Sequence, residues 1–212
     1  LGLMRTFVRD GLDRAATDFS RFFDGNLVQW AEPQLATMPV ITDRPEPALA
    51  RRLEALADCP AGSLGQGLLA FYDRWGLPIP GREASGMNHF FVSHDMTHVI
   101  AGIEATAAGE IALSAMQMAM DPNSTNSSAL LASLIVHEVG FGRAGKVAPE
   151  AGVLADPAAA ALFGHSLARG AACTSDFSLA DHLAIVDEPL AEVRDSFGVP
   201  PPADPNDGHH HW

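Results

Sequence analysis

His94 and His98 stand four residues apart, and on a helix that spacing puts both imidazoles on one face, where they can pinch a single ion. Asp95 lies three before His98 and is rotated by about 100° from His94, at the flank of the same face. Two imidazoles and a carboxylate make a mixed nitrogen and oxygen shell. Such a shell suits zinc, iron or manganese better than calcium, and no thiolate stands nearby. Glu110 is the fourth candidate, on one condition. A continuous helix from His98 to Glu110 would hold their Cα atoms roughly 18 Å apart, whereas donors around one ion lie about 2 Å from it. The chain must therefore turn between them. Gly102 can end a first helix, Thr106 can cap a second, and Gly109 lets backbone or ligand come close beside Glu110. His94, Asp95, His98 and Glu110 are thus the candidate metal-binding and catalytic residues for one divalent ion, zinc first, iron or manganese next.

Other residues carry weaker signals. His137-Glu138 interrupts the apolar run Leu130 to Val139, which reads as the polar face of a helix emerging there. Met116, Met118 and Met120 with Leu113 read as core packing. His89, His165 and His182 have no partner at a telling spacing. Gly62 to Gly67 is glycine-rich but follows a proline turn and lacks the lysine of a phosphate-binding loop. His209, His210 and His211 sit in a polar tail with no fixed geometry.

Helical periodicity dominates the elements that must position the site. Apolar residues recur at helical spacing from Met4 to Trp30, before a stretch punctuated by Pro33, Pro39, Pro45 and Pro47. Leu49 to Leu56 reads as a helix, and Ser63 as the cap of another that runs to Trp75. His89 to Ala101 and Ala107 to Met120 follow, with a break at Asp121-Pro122-Asn123-Ser124. Ser128 to Val139, Leu154 to Arg169 with Asp156-Pro157 as its cap and first turn, and Leu190 to Phe197 complete the set. The spacing predicts an all-α fold: a single helical domain over residues 1–202, with the metal site between two consecutive helices, and a flexible tail over 203–212.

The chain has 212 residues, 47% of them hydrophobic, enough to bury a substantial core. Its formal net charge of −13 argues against nucleic acid and against a simple electrostatic grip on anionic lipid headgroups. Two cysteines, Cys59 and Cys173, exclude a disulfide framework and fit a reducing compartment. No apolar run approaches the roughly 20 residues that span a bilayer, and Arg5, Arg9 and Asp10 break the apolar core a signal peptide needs. The expected location is cytoplasmic, compatible with a peripheral position on a membrane.

The run His94-Asp95-Met96-Thr97-His98, eleven further residues and then Glu110 resembles the signature of the coenzyme Q (ubiquinone) biosynthesis protein 4 family. Gly102 and Gly109 match its spacer. Pro60-Ala61-Gly62-Ser63-Leu64-Gly65 is similar to its proline-glycine turn, and Pro189 to Arg194 with Phe197-Gly198-Val199-Pro200-Pro201 is similar to its C-terminal helix and proline exit. The likeness reaches from about Pro60 to Pro202. It implies an all-helical fold, a metal at the four matched residues, and oxidative decarboxylation of a polyprenylated hydroxybenzoate at the ring carbon bearing the carboxylate. It also implies a peripheral membrane position and contact with other quinone-biosynthesis enzymes; a homo-oligomer is compatible with it. One departure stands out: Gly86 to Ser93 lacks the arginine and tyrosine usual before the motif, as in a divergent bacterial member acting on another lipid or aromatic acid. The apolar stretches Ile111 to Met120 and Leu130 to Val139 are the expected housing for a prenyl tail. Two rival readings are a lipid-binding scaffold with a structural metal and a metal-dependent phosphohydrolase. The latter lacks an additional upstream histidine ligand and a basic cluster for phosphate.

Overall fold

Capping chemistry sets most of the helix boundaries. The computed structural model describes residues 45–140, 147–148 and 150–201, all within the unit Asp43–Trp212. The helix expected over Met4 to Trp30 and the tail over 203–212 lie outside the described residues. Seven α-helices and no strand are found among the described residues, as the periodicity predicts. They are α1 Pro47–Glu54, α2 Leu64–Trp75, α3 His89–Ala101, α4 Ala107–Met120, α5 Ser124–Ser133, α6 Pro157–Ala172 and α7 Leu190–Ser196. A π-helical turn, Leu134–Glu138, continues α5.

Ser63 caps α2 by accepting from the Gln66 backbone N–H, and Thr106 caps α4 by accepting from Gly109. Where helix bounds differ from the sequence reading, two of the differences have a capping cause. Asn123 accepts from Asn126 N at 2.8 Å, so α5 starts at Ser124 and not at Ser128. The helix expected from Leu154 starts at Pro157, because Asp156 is extended ahead of the proline and caps Ala158 with its carboxylate.

α4 is apolar almost all round, and the structure makes it the central helix: Ile111, Ala112, Leu113, Ala115 and Met116 are buried. α3 packs beside it through Met96, Val99 and Ile100, and α2 adds Leu68 and Phe71 to the same core. Each such side chain contributes roughly 1.5–3 kcal/mol by leaving water. α6 comes closer to α4 than ordinary side chains allow. A Cβ at Gly170 would overlap the Met116 carbonyl.

The proline-glycine turn before α2 and the segment that leads into α7 meet in space. Leu64 N donates to Glu188 O at 2.9 Å, Gly65 N to Val186 O at 2.9 Å, and Leu190 N to Gly62 O at 2.9 Å. The C-terminal part is thereby tied to the start of α2. From it come two arginines that finish α3: Arg194 donates to the Val99 and Ile100 carbonyls at 2.9 and 3.0 Å, and Arg169 to the Ala101 carbonyl at 2.8 Å. The helix stops there and leaves its last carbonyls without donors four residues on, so the guanidiniums satisfy them, Val99 O also accepting from the Gly102 N–H. At the other end, the Glu46 carboxylate accepts from His89 N at 2.7 Å and pairs with the His89 ring at 2.8 Å. α3 is held at both ends.

Helix propensity and packing make opposite predictions at Gly170. Alanine should stabilise a helix interior by about 1 kcal/mol, but overlap with α4 should cost more. Gly170→Ala is expected to lose about 1–3 kcal/mol net in urea unfolding; a gain would show that α6 can move away freely.

Candidate metal centre

Bringing Glu110 back to His98 takes two linked turns. α3 ends at Gly102, which adopts φ +67°. Its N–H donates to Val99 O at 3.3 Å, while Ile103 N donates to His98 O at 3.0 Å. That pattern of bonds reverses the chain and closes the helix end. Thr106 then starts α4. A Cβ on Gly109 would overlap the Glu104 carbonyl, so the connection can fold this tightly only over glycine. Glu110 is left in the first turn of α4, facing α3.

Three donor groups converge there. His94 Nε2 and His98 Nε2 are 3.2 Å apart; His94 Nε2 lies 3.3 Å from Glu110 Oε2, and His98 Nε2 lies 3.3 Å from Glu110 Oε1. An ion about 2.0–2.1 Å from each of its donors, in tetrahedral geometry, spaces them by about 3.3 Å. The residues present therefore fit a first-row divalent ion, and one ligand atom from each lies within 4.8 Å of the others.

The ligand form of His98 is set from outside the site. Its Nδ1 donates to the Ile103 carbonyl at 3.0 Å, which puts the proton on Nδ1 and leaves the Nε2 lone pair for a metal. Phe71 of α2 stacks on the ring at 5.3 Å between centroids and 28° between planes. His94 is steadied through its backbone. Thr97 Oγ1 donates to His94 O at 2.6 Å and accepts from Gln117 Nε2 of α4 at 3.3 Å. His98 is buried, Glu110 nearly so, and the His94 side chain is 35% exposed, so the site meets solvent on the His94 side.

The electrostatics fit a cation site. Burial alone would lower the His94 imidazolium pKa, but the adjoining Glu110 carboxylate, and then Asp95, outweigh that and hold it up to about 9. Burial would likewise raise Glu110, yet the two imidazoles keep it well below the usual carboxylate range. In the absence of metal, a proton on His94 takes the cation's place.

Asp95 stands apart from these three. The sequence reading set it in the same shell, but the converging group contains only His94, His98 and Glu110. Asp95 is buried and faces the Tyr72 hydroxyl of α2 without a well-formed hydrogen bond. Burial pushes its carboxyl up to about 6, against the nearby imidazoles and Tyr72. Burial and then Asp95 push the Tyr72 hydroxyl up in turn. A rotation of about 100° from His94 points Asp95 between α3 and α2, away from Glu110 on α4.

His137 also departs from its sequence reading. Read as part of an emerging polar face, it is 6% exposed and lies within reach of the Glu110 charge. The available signal was a histidine inside an apolar run, which cannot distinguish emergence from burial. The remaining histidines have other duties or none at the site. His89 pairs with Glu46, His182 donates to Phe177 O at 2.8 Å, and His165 is exposed on α6. Met116 is core, as expected, while Met118 and Met120 are half-buried. A cavity of about 300 Å³ near the start of α4 is lined in part by Glu104, Glu150 and Asp156, an unfavourable wall for an aromatic carboxylate.

Fold and site together define an all-helical protein with a candidate mononuclear metal centre between two consecutive helices. No family model matches the chain, and no curated protein matches it at a significant level. Among solved structures it is similar to a Nostoc punctiforme protein provisionally described as a ubiquinone biosynthesis protein. The two are 18% identical, the match covers 94% of each chain, and the TM-score is 0.48. A likeness at this level shows neither a shared activity nor a shared substrate.

The His94–Glu110 pair has a defined pH window in metal-free protein. His94 is raised, so its contribution is full below the ordinary 6.5 and is lost as pH climbs towards about 9. Glu110 is lowered, so its contribution is full above 4.5 and is lost as pH falls through its depressed value. The urea midpoint of stripped protein should therefore fall between pH 6.5 and 9, and His94→Gln should flatten that limb. Separately, Gly109→Ala should weaken metal binding by about tenfold or more in calorimetric titration, because it displaces the turn that delivers Glu110.

Proposed function

We propose that this protein is a metal-dependent enzyme of the ubiquinone-biosynthesis type, replacing the carboxylate of a polyprenylated hydroxybenzoate or related aromatic acid with a hydroxyl group. The observation that carries the reading is the convergence of His94, His98 and Glu110 at 3.2–3.3 Å, with His98 already in its ligand tautomer. The His-Asp-x-x-His and Glu110 pattern supports it from the sequence side.

When bound, a divalent ion supplies Lewis-acid charge to a phenolic or carboxylate oxygen, zinc serving for that alone and iron or manganese where dioxygen is the oxidant. The chain's own residues prepare that position. Glu110 offsets the charge, Phe71 and Ile103 hold His98 in orientation, and the half-exposed His94 leaves the approach for an oxygen ligand from solvent. Exchange of carboxylate for hydroxyl releases carbon dioxide and is a two-electron oxidation; it balances with water supplying the hydroxyl oxygen and dioxygen taking the two electrons and two protons to leave as hydrogen peroxide.

Of the two stretches expected to house a prenyl tail, the first is packed core only over Ile111 to Met116, and Gln117 to Met120 is half-buried. Leu131, Ile135 and Val136 are only partly buried and Val139 is 66% exposed, so the apolar surface for a tail lies along α5 and the π turn. No helix of the described residues is long and apolar enough to cross a membrane; we place the protein on a membrane face, where a prenylated substrate and other quinone-pathway enzymes would meet it. The lack of arginine in Gly86 to Ser93 favours a second reading, a lipid-binding scaffold whose metal is structural.

Metal content and carbon dioxide release should be measured together, on a polyprenyl-hydroxybenzoate with dioxygen present. About one ion per chain is expected, with both the ion and the turnover lost in His98→Ala. Metal without turnover would favour the scaffold, and wild type without metal would end both readings.

A further inference from the structure

His137 is a buried histidine that the triad does not use. It sits in the π turn Leu134–Glu138, a rare wide turn that recurs at functional sites and gives poorer backbone hydrogen bonding than an α-helix. The turn is clamped from beyond: Glu138 O accepts from Gly152 N at 2.7 Å, and Glu138 Oε2 accepts from Leu154 N at 2.8 Å.

Helix register sets His137 against the site. α4 and α5 are joined by only three residues and pack as antiparallel neighbours. Ser114 of α4 meets Ser133 of α5, hydroxyl to hydroxyl, at 2.7 Å. One turn from that contact towards the start of α4 is Glu110. One turn from it towards the end of α5 is His137. The Glu110 charge reaches His137 across this pair.

The ring's hydrogen bonding is half complete. It donates to the Ala148 carbonyl, whereas Nδ1 is buried with no partner. The proton is then on Nε2, and Nδ1 carries a lone pair with nothing to receive. A buried polar atom left so costs about 1–3 kcal/mol.

We propose that His137 belongs to the metal centre as a positioning residue for the incoming ligand. Its Nδ1 accepts a hydrogen bond from a protic oxygen ligand, water or a phenolic hydroxyl, at the position that His94, His98 and Glu110 leave open. This rests on the metal reading above. It adds an acceptor from a third helical segment, and it makes the centre selective for ligands that keep a proton. His137 is not a ligand to the ion, because its ring nitrogens are outside the converging group.

The test uses the full chain loaded with Co²⁺, whose visible absorption reports both the protein donors and any added ligand. Catechol is the probe, since as a monoanion it keeps one hydroxyl proton; azide, which carries none, is the control. The variants are His137→Leu, which removes the acceptor, and His137→Asn, whose Oδ1 can stand near the Nδ1 position. For His137→Leu we expect Co²⁺ affinity within about threefold of wild type, catechol affinity lower by about tenfold or more, and azide affinity unchanged. His137→Asn should recover a large part of the catechol affinity, and thermal unfolding followed by circular dichroism should show each variant folded. Equal catechol affinity in all three folded proteins would overturn the proposal. So would a loss of Co²⁺ affinity beyond about a hundredfold in His137→Leu, which would make His137 a ligand. If both substitutions unfold the chain, His137 is a structural residue and the proposal falls. Failure of wild type to take up Co²⁺ would instead remove the metal reading itself, a result distinct from the others.

Discussion

The Ile103 backbone grips His98 at both ends, its N–H donating to the His98 carbonyl at 3.0 Å and its carbonyl accepting from His98 Nδ1 at 3.0 Å. One residue thereby closes α3, reverses the chain and selects the imidazole tautomer that presents Nε2 to the site. A helix end and a ligand orientation are usually separate problems. Here they share a pair of hydrogen bonds, so the turn cannot loosen without the ligand losing its direction. The Ile103 side chain is fully buried in the core, which anchors the backbone that makes both bonds.

The rest of the fold holds that turn still. Glu46 fixes the start of α3 and Arg169 and Arg194 cover its last carbonyls, each from a segment far away in sequence. Arg194 is itself half-buried, and desolvation lowers its pKa, so its two hydrogen bonds to helix carbonyls offset part of the cost of placing a guanidinium there. Close approach between backbones completes the frame. Gly109 lets the 104–106 turn lie on α4, and Gly170 lets α6 lie on α4. Both press on the helix that carries Glu110, which accordingly has little freedom to move away from the two histidines.

Within this frame the site is electrically unbalanced in a useful direction. Two imidazoles and a carboxylate, largely removed from water, favour a positive guest, whether a proton shared by His94 and Glu110 or a divalent ion. Protons and metal therefore compete for the same lone pairs, and the outcome depends on pH. The exposure of His94 sets the route by which either arrives. The buried lone pair of His137, one turn from the Ser114–Ser133 contact, adds polarity on a side that the α3 and α4 donors do not cover.

Much of this was legible in the residues themselves. Local rules act over one or two helical turns, so the 94/98 spacing, the stop at Gly102, the Thr106 cap and the bounds of α3 and α4 could be read directly. The same rules placed Asp156-Pro157 and Ser63 at helix starts, although the apolar run from Leu154 reads as helical three residues before the start that the extended Asp156 allows. What the sequence could not decide was direction around each helix. Asp95 and Glu110 look equally suited to a metal in one dimension, yet α4 lies on one side of α3 and α2 on another, so one carboxylate meets the imidazoles and the other meets Tyr72. His137 was undetermined for the same reason: an isolated polar residue in an apolar run is buried or exposed according to which helix packs over it. Spacing along the chain determined which residues could act together; the packing of α2, α4 and the π turn around α3 decided which of them do, because burial and facing are properties of neighbours that a sequence brings from far away.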